Sequence, residues 1–140
     1  MTAATGTTRY ATTVTKVGEM VPAFVEKGML IFFGENAPAE LHDMSVLHRP
    51  DVADGGLAVG DLLILDDDEF PILAVGHVAN DNLVNLGHID LKFNGETTPP
   101  LGGDVCLPKE VPPTLKPGST FRVVGPAPKN TANTEIKEIP

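Results

Sequence analysis

Four histidines and one guanidinium carry most of the chemistry that this 140-residue chain offers, and His48 stands out among them. The unbroken apolar run from Met29 to Phe33, ended by Gly34, suits a strand buried on both faces. Pro38 then opens a short turn of helix, and Ser45, Val46 and Leu47 begin a second strand that delivers His48 to Arg49-Pro50. A residue before proline is pushed away from α geometry, so Arg49 is expected to be extended or turning. The expectation is an imidazole held bare at the rim of a sheet, with a guanidinium beside it and a loop next to both. An unperturbed imidazole titrates at about 6.5, so such a ring is largely neutral and nucleophilic at cellular pH.

The other histidines have plainer settings. His42 lies in the polar turn from Pro38 to Asp43 and reads as a solvated surface residue. His77 follows Ala74-Val75-Gly76 at a strand end, where it caps the next helix or does nothing. His88 follows Gly87 on the polar face of a strand, where structural hydrogen bonding and support of a site are both open. A metal site would need three or more such groups to converge, and HxH, HExxH and facial-triad spacings are all missing. The acids Asp66 to Glu69 lack the alternate spacing and glycine of a calcium loop and read as a solvated hairpin turn. No GxSxG elbow exists, and Ser45 and Ser119 sit in ordinary contexts, so a serine-hydrolase reading fails. The single cysteine, Cys106, can form neither an internal disulfide nor a thiolate metal site alone. Neither a metal nor a cofactor is expected.

The elements that must position these residues are mostly strands. Thr7 to Val17 is rich in Thr and Val and reads as a first strand. Glu19 to Lys27 reads as a short helix with Met20, Phe24 and Lys27 on one face and Gly28 as its C-terminal cap. Asp51 to Gly56 reads as a loop, Leu62 to Leu65 as a strand and Phe70 to Val75 as its return, with Pro71 near the start. Asn80 or Asp81 can cap a short helix carrying Leu83 and Leu86, which Gly87 ends. His88 to Phe93 alternates, with Ile89, Leu91 and Phe93 on one face. Asn94-Gly95 marks a turn, Thr97 to Gly103 a loop, and Val105 to Leu107 and Thr120 to Val124 late strands. Many short strands with regular turn signals predict a mainly β, single-domain, closed or nearly closed barrel with one or two short helices. The barrel domain spans 1–125, followed by a Pro-rich tail over 126–140 without periodicity.

Composition narrows the function classes. At 41% hydrophobic and 21% charged the chain is an ordinary globular protein, long enough to bury a core. A formal net charge of −9 has the wrong sign for a nucleic-acid binder and favours small-molecule chemistry or a partner with a basic face. Trp is absent and Tyr10 is the only tyrosine, so no stacking stripe for bases exists. No apolar run reaches membrane-spanning length and the first ten residues lack a signal-peptide layout, which makes a cytoplasmic protein the default expectation.

Two blocks carry a family resemblance. Ala74-Val75-Gly76, Asp81-Asn82-Leu83, Leu86-Gly87-His88, Leu91, Phe93 and Gly95 form one. Met29-Leu30-Ile31, Phe33, Ala37-Pro38-Ala39, Leu41 and Val46-Leu47-His48 form the other. In this order, over about residues 9 to 125, the chain resembles the glucitol/sorbitol-specific enzyme IIA component of the bacterial phosphotransferase system. The resemblance implies a small phosphoryl carrier with a mainly β, barrel-like fold. In that family the histidine after the apolar pair, here His48, takes a phosphoryl group from the carrier HPr. It then passes the group to the IIB component of a membrane sugar permease, which phosphorylates glucitol or a related polyol on entry. The chain departs from the family pattern at Arg49-Pro50, where another histidine or an acid often follows, and in the length of its tail.

Phosphoryl transfer has a loose transition state, so such a site mainly aligns groups and stabilises spread negative charge. The expected arrangement has His48 Nε2 attacking phosphorus while a carbonyl or side chain holds Nδ1–H. Arg49 and loop amides are candidates for the phosphoryl oxygens, and His88 for orienting or protecting the phosphohistidine; Arg49 as a plain surface charge is the alternative. Exchange between histidines conserves a reactive N–P bond and needs no metal at the transfer step. Two other classes stay open: a non-catalytic paralogue that binds a regulator, and a small-ligand or metal-binding barrel using His48, His77 and His88. The oligomeric state also stays open, with a homodimer among the alternatives.

Overall fold

A computed structural model describes residues 6–53 and 56–125, so the proline-rich tail over 126–140 lies outside the described residues. The fold is mainly β. Its strands are β1 (Thr7–Val17), β2 (Met29–Gly34), β3 (Val46–Ala53), β4 (Leu62–Leu65), β5 (Asp68–Pro71), β6 (Ala74–Val75), β7 (Ile89–Lys92), β8 (Asp104–Cys106) and β9 (Thr120–Gly125). They form one nine-stranded sheet in the order β5-β4-β9-β1-β3-β2-β7-β8-β6, curled into a half-barrel. The outermost strands, β5 and β6, are consecutive in the chain, so Ile72 and Leu73 carry the backbone from one edge of the sheet to the other. Helix α1 (Val21–Glu26), a 3₁₀ turn (Ala39–Met44) and helix α2 (Ala79–Leu86) complete the described residues. None of these helices is long and apolar enough to cross a membrane.

Period-two alternation decides what each strand buries. On β1, Tyr10, Thr12 and Val14 face inward and are almost fully enclosed. On β7 and just beyond, Ile89, Leu91 and Phe93 do the same. Phe121 of β9 packs between Tyr10 and Phe32, with ring centroids 5.7 and 5.0 Å away, and Phe70 meets Phe93 edge-on at 5.1 Å. Most strands pair antiparallel, but β2–β3 and β7–β8 pair in parallel. A parallel pair needs a crossover, and the segment holding the 3₁₀ turn supplies it between β2 and β3.

Several boundaries differ from the sequence reading, each for a local reason. The second central strand does not end at Arg49-Pro50; β3 runs on to Ala53. Pro50 is tolerated because the β1–β3 register shifts between Ala11 and Thr12, so the ladder passes from Thr12↔Pro50 to Ala11↔Val52 and skips Asp51. The stretch from Phe70 to Val75 splits in two because Ile72 N–H donates to Asp61 O while Leu73 N–H donates to Cys106 O, across opposite edges. Asp68 and Glu69 belong to β5, which shortens the acidic turn to Asp66 and Asp67, with Asp66 at φ 54°. Helix α2 starts at Ala79 after Val78 and has no side-chain cap. Asn80 instead accepts from Leu57 N–H and donates to Leu57 O, pinning a distant loop. On α1 only Val21 is buried, and Met20 points outward.

The aromatic contact of Phe121 with Phe32 and Tyr10 makes it the centre of the core beneath β1–β3. Phe121→Ala is expected to cost about 3–5 kcal/mol of folding stability, measured by urea denaturation; a loss under about 1 kcal/mol would show that the core closes over the gap.

Candidate functional site

His48 lies on β3 at the point where two ladders meet. It pairs with Val14 of β1 on one side and with Gly34 of β2 on the other. Alternation along β3 sends Val46 and His48 inward and Arg49 outward. The imidazole is therefore not bare at a rim: it is fully enclosed, at 0% exposure. The sequence places the histidine on the right strand but misplaces the strand's end, and with it the solvent. Phe32 and Tyr10 stand edge-on to the ring, with centroids 5.7 and 6.4 Å away.

Both ring nitrogens are bonded. Nδ1 lies 2.6 Å from Thr12 Oγ1, and Nε2 lies 2.6 Å from Gly87 O. Burial holds the pKa of His48 below its ordinary value, against the opposing pull of the Gly87 carbonyl and the Glu35 charge, so the ring is neutral. A carbonyl can only accept, so Nε2 carries the proton and donates to Gly87 O, while Nδ1 accepts from the Thr12 hydroxyl. This reverses the tautomer expected from the sequence. The Nδ1 partner is a side chain, as foreseen, but Nε2 is occupied.

The Gly87 carbonyl reaches Nε2 because two glycines meet. Gly87 ends α2 in the left-handed region at φ 65°, where a side chain would be strained. A Cβ there would stand 2.6 Å from Gly34 N and 3.2 Å from His48 Nε2. A Cβ on Gly34 would in turn stand 3.1 Å from Leu86 O. The same two glycines form part of the wall of an open cleft of about 320 Å³, together with Phe33, Pro38, Pro50 and Leu86. Nε2 thus faces a seam of two side-chain-free backbones that border this cleft, while Nδ1 faces the wall made by β1.

The other candidates are not gathered around the ring. Arg49 is two-thirds exposed and holds Glu35 through two bonds, Nε–Oε2 at 2.7 Å and Nη2–Oε1 at 3.1 Å. That pair lowers the pKa of Glu35 and raises that of Arg49, chiefly through the hydrogen bond itself. His88 lies on the outer face of the sheet, stacked on Phe33 with centroids 4.1 Å apart. Its Nδ1–H donates to Phe32 O at 3.1 Å, and its Nε2 stands 3.9 Å from Asp90 Oδ2. The expected orienting contact from the His88 side chain to His48 is not made; the link runs through the backbone of Gly87. Burial is the chief cause that raises the Asp90 carboxyl pKa. His42 donates from Nε2 to Ala37 O, and exposed His77 packs against Gly102. Among the described residues no three His, Cys, Asp or Glu side chains converge as metal ligands.

Sequence reasoning missed Thr12. Its signal was present: a hydroxyl on the inward side of the first strand, between Tyr10 and Val14, has to find a buried partner.

Comparison with known proteins adds an independent line. A family described as "PTS system glucitol/sorbitol-specific IIA component" matches residues 9–122. The glucitol/sorbitol-specific EIIA components of Shigella flexneri and Escherichia coli K12 are each 36% identical over 113 residues, 81% of this chain and 92% of theirs. The crystal structure of a PTS system IIA component from Enterococcus faecalis V583 superposes with a TM-score of 0.70 at 29% identity, over 81% of this chain and 98% of that one. The chain belongs to the glucitol/sorbitol-specific IIA component family of the PTS system, a family of sugar phosphotransfer.

Proposed function

We propose that the protein is a phosphoryl carrier in which His48 Nε2 receives a phosphoryl group from phospho-HPr. It then yields that group to the IIB component of a permease for glucitol/sorbitol or a related polyol. The observation that carries this reading is the direction of Nε2: it points at the Gly34–Gly87 seam, which is built of backbone without side chains. The parallel β2–β3 register ends at the pair Gly34↔His48, and one further bond, from Glu35 N–H to His48 O at 3.1 Å, closes it. Once the Gly87 carbonyl withdraws, Nε2 opens toward the cleft that Phe33, Pro38, Pro50 and Leu86 line.

Transfer between two imidazoles exchanges one N–P bond for another, so the protein's work is alignment and exclusion of water. A dry cage suits that work because it keeps the nucleophile neutral and shields the phosphohistidine from hydrolysis. Arg49 is engaged by Glu35 and is not among the residues that line the cleft, so we assign it to the surface rather than to the phosphoryl oxygens. The complete enclosure of His48 also favours a second reading, a binding module that never carries phosphate.

Labelling decides between the two. With enzyme I, HPr and radioactive phosphoenolpyruvate, the wild-type chain is expected to gain acid-labile phosphate and His48→Gln to gain none. An unlabelled wild type overturns the carrier reading in favour of the binding module, and full labelling of His48→Gln overturns the site.

The neutral ring also leaves a mark on stability. The folded pKa of His48 lies below its unfolded value of 6.5, so below that pH the unfolded chain takes up the proton first. The contribution is complete above the unfolded value and is lost as pH falls toward and through the folded one. Stability of the wild type is therefore expected to fall on acidification from pH 6.5, and His48→Gln to fall less steeply over the same window; equal slopes in urea titrations would contradict it.

A further inference from the structure

The resting tautomer is the wrong one for attack by Nε2, and the side chain bonded to Nδ1 is able to serve both tautomers. We propose that Thr12 is the positioning residue of this site: its hydroxyl donates to His48 Nδ1 at rest and turns to accept from Nδ1–H when Nε2 carries the phosphoryl group. The inference rests on the carrier reading above.

The geometry leaves little else for Nδ1. Thr12 is 1% exposed, sits opposite Pro50 of β3 and Phe121 of β9, and places Oγ1 2.6 Å from Nδ1. A hydroxyl both donates and accepts, and it changes role by turning about its C–O bond with no movement of the chain. Valine has the same shape and neither capacity. Serine keeps both.

The step balances. Before transfer, while the cage is open to solvent, one proton leaves Nε2 and one is taken up at Nδ1, so the ring stays neutral. The Nε2 lone pair then forms the new N–P bond while the donor's N–P bond breaks and its electron pair returns to the donor imidazole. The His48 ring becomes cationic next to the phosphoryl oxygens, with its Nδ1–H held by Thr12 Oγ1. Without that acceptor the cationic ring would bury an unpaired N–H, which disfavours the phosphorylated state.

The test compares wild type, Thr12→Val and Thr12→Ser by 15N NMR of the histidine rings and by phosphoryl uptake from phospho-HPr. The unphosphorylated wild type is expected to show His48 as the Nε2–H tautomer, and the phosphorylated one to show phosphorus on Nε2 and a slowly exchanging Nδ1–H. Thr12→Val is expected to shift the resting Nδ1 resonance toward that of a non-bonded pyridine-type nitrogen. Its phosphoryl uptake is expected to slow about tenfold or more, with Thr12→Ser restoring both. Uptake by Thr12→Val at the wild-type rate overturns the inference, as does a Thr12→Ser chain as impaired as the valine variant. Phosphorus on Nδ1 of the wild type overturns it without reference to any variant. The resting NMR shift does not depend on phosphorylation, and loss of labelling in wild type itself is the failure of the carrier reading instead.

Discussion

An imidazole bonded at both nitrogens inside an apolar cage is the constraint around which this barrel is arranged. A buried ring nitrogen without a partner would cost about 1–3 kcal/mol, so Thr12 and the Gly87 carbonyl have to arrive together. Thr12 comes from β1, His48 from β3, and Gly87 from the end of α2, far apart in sequence. The β1–β3 register fixes the first contact, and its bulges set which β1 residues face inward beside His48. The second contact depends on α2 stopping at one residue. A helix one residue longer would swing the Gly87 carbonyl forward into line with the helix axis and away from Nε2.

Gly87 therefore does three things that a single side chain would spoil. It ends the helix in the left-handed region, it lets β2 approach within contact, and it offers its carbonyl to Nε2. The next residue, His88, anchors the same junction from the other face of the sheet through Phe32 O and the Phe33 ring. So the family-like run Leu86-Gly87-His88 reads physically as one junction: exposed apolar residue, bare backbone, anchor. The His88 side chain makes its contacts with Phe32 O and Phe33 rather than with His48.

Much of this was legible in the sequence. The strands were, because Tyr10/Val14, Ile89/Leu91/Phe93 and the run from Leu62 to Leu65 show their burial in their spacing. His48 was legible as the residue to watch, since an apolar strand delivers it. Its burial was not, because Arg49-Pro50 looks like the end of a strand, and only the β1–β3 register reveals the bulge that accommodates the proline. Thr12 was hidden by its own ordinariness: threonine is a good strand former, so its presence in a strand asks for no explanation. The Gly87 carbonyl could not be read at all, since a main-chain acceptor has no letter of its own. Arg49 looked significant for its neighbour in sequence, yet strand alternation puts adjacent residues on opposite faces.

Where the cage is able to open follows from where it is locked. On the β1 side His48 is held by an antiparallel ladder running from Val17↔Val46 to Tyr10↔Ala53. On the far side of β7, Lys92 Nζ meets the fully buried Asp104 carboxylate at 2.9 Å, and Asp104 Oδ2 also takes Leu101 N–H. Breaking either partner of such a buried pair leaves a charge without compensation, so β7 and β8 are not the elements that give way. Between these two walls the β2–β3 register spans Phe32 to Gly34, and Glu35 N–H adds a last bond to His48 O. The Gly34–Gly87 seam has no side chains to interlock and borders the cleft. Of the groups around Nε2, this seam is the one that the β1–β3 ladder and the Lys92–Asp104 pair do not tie down directly.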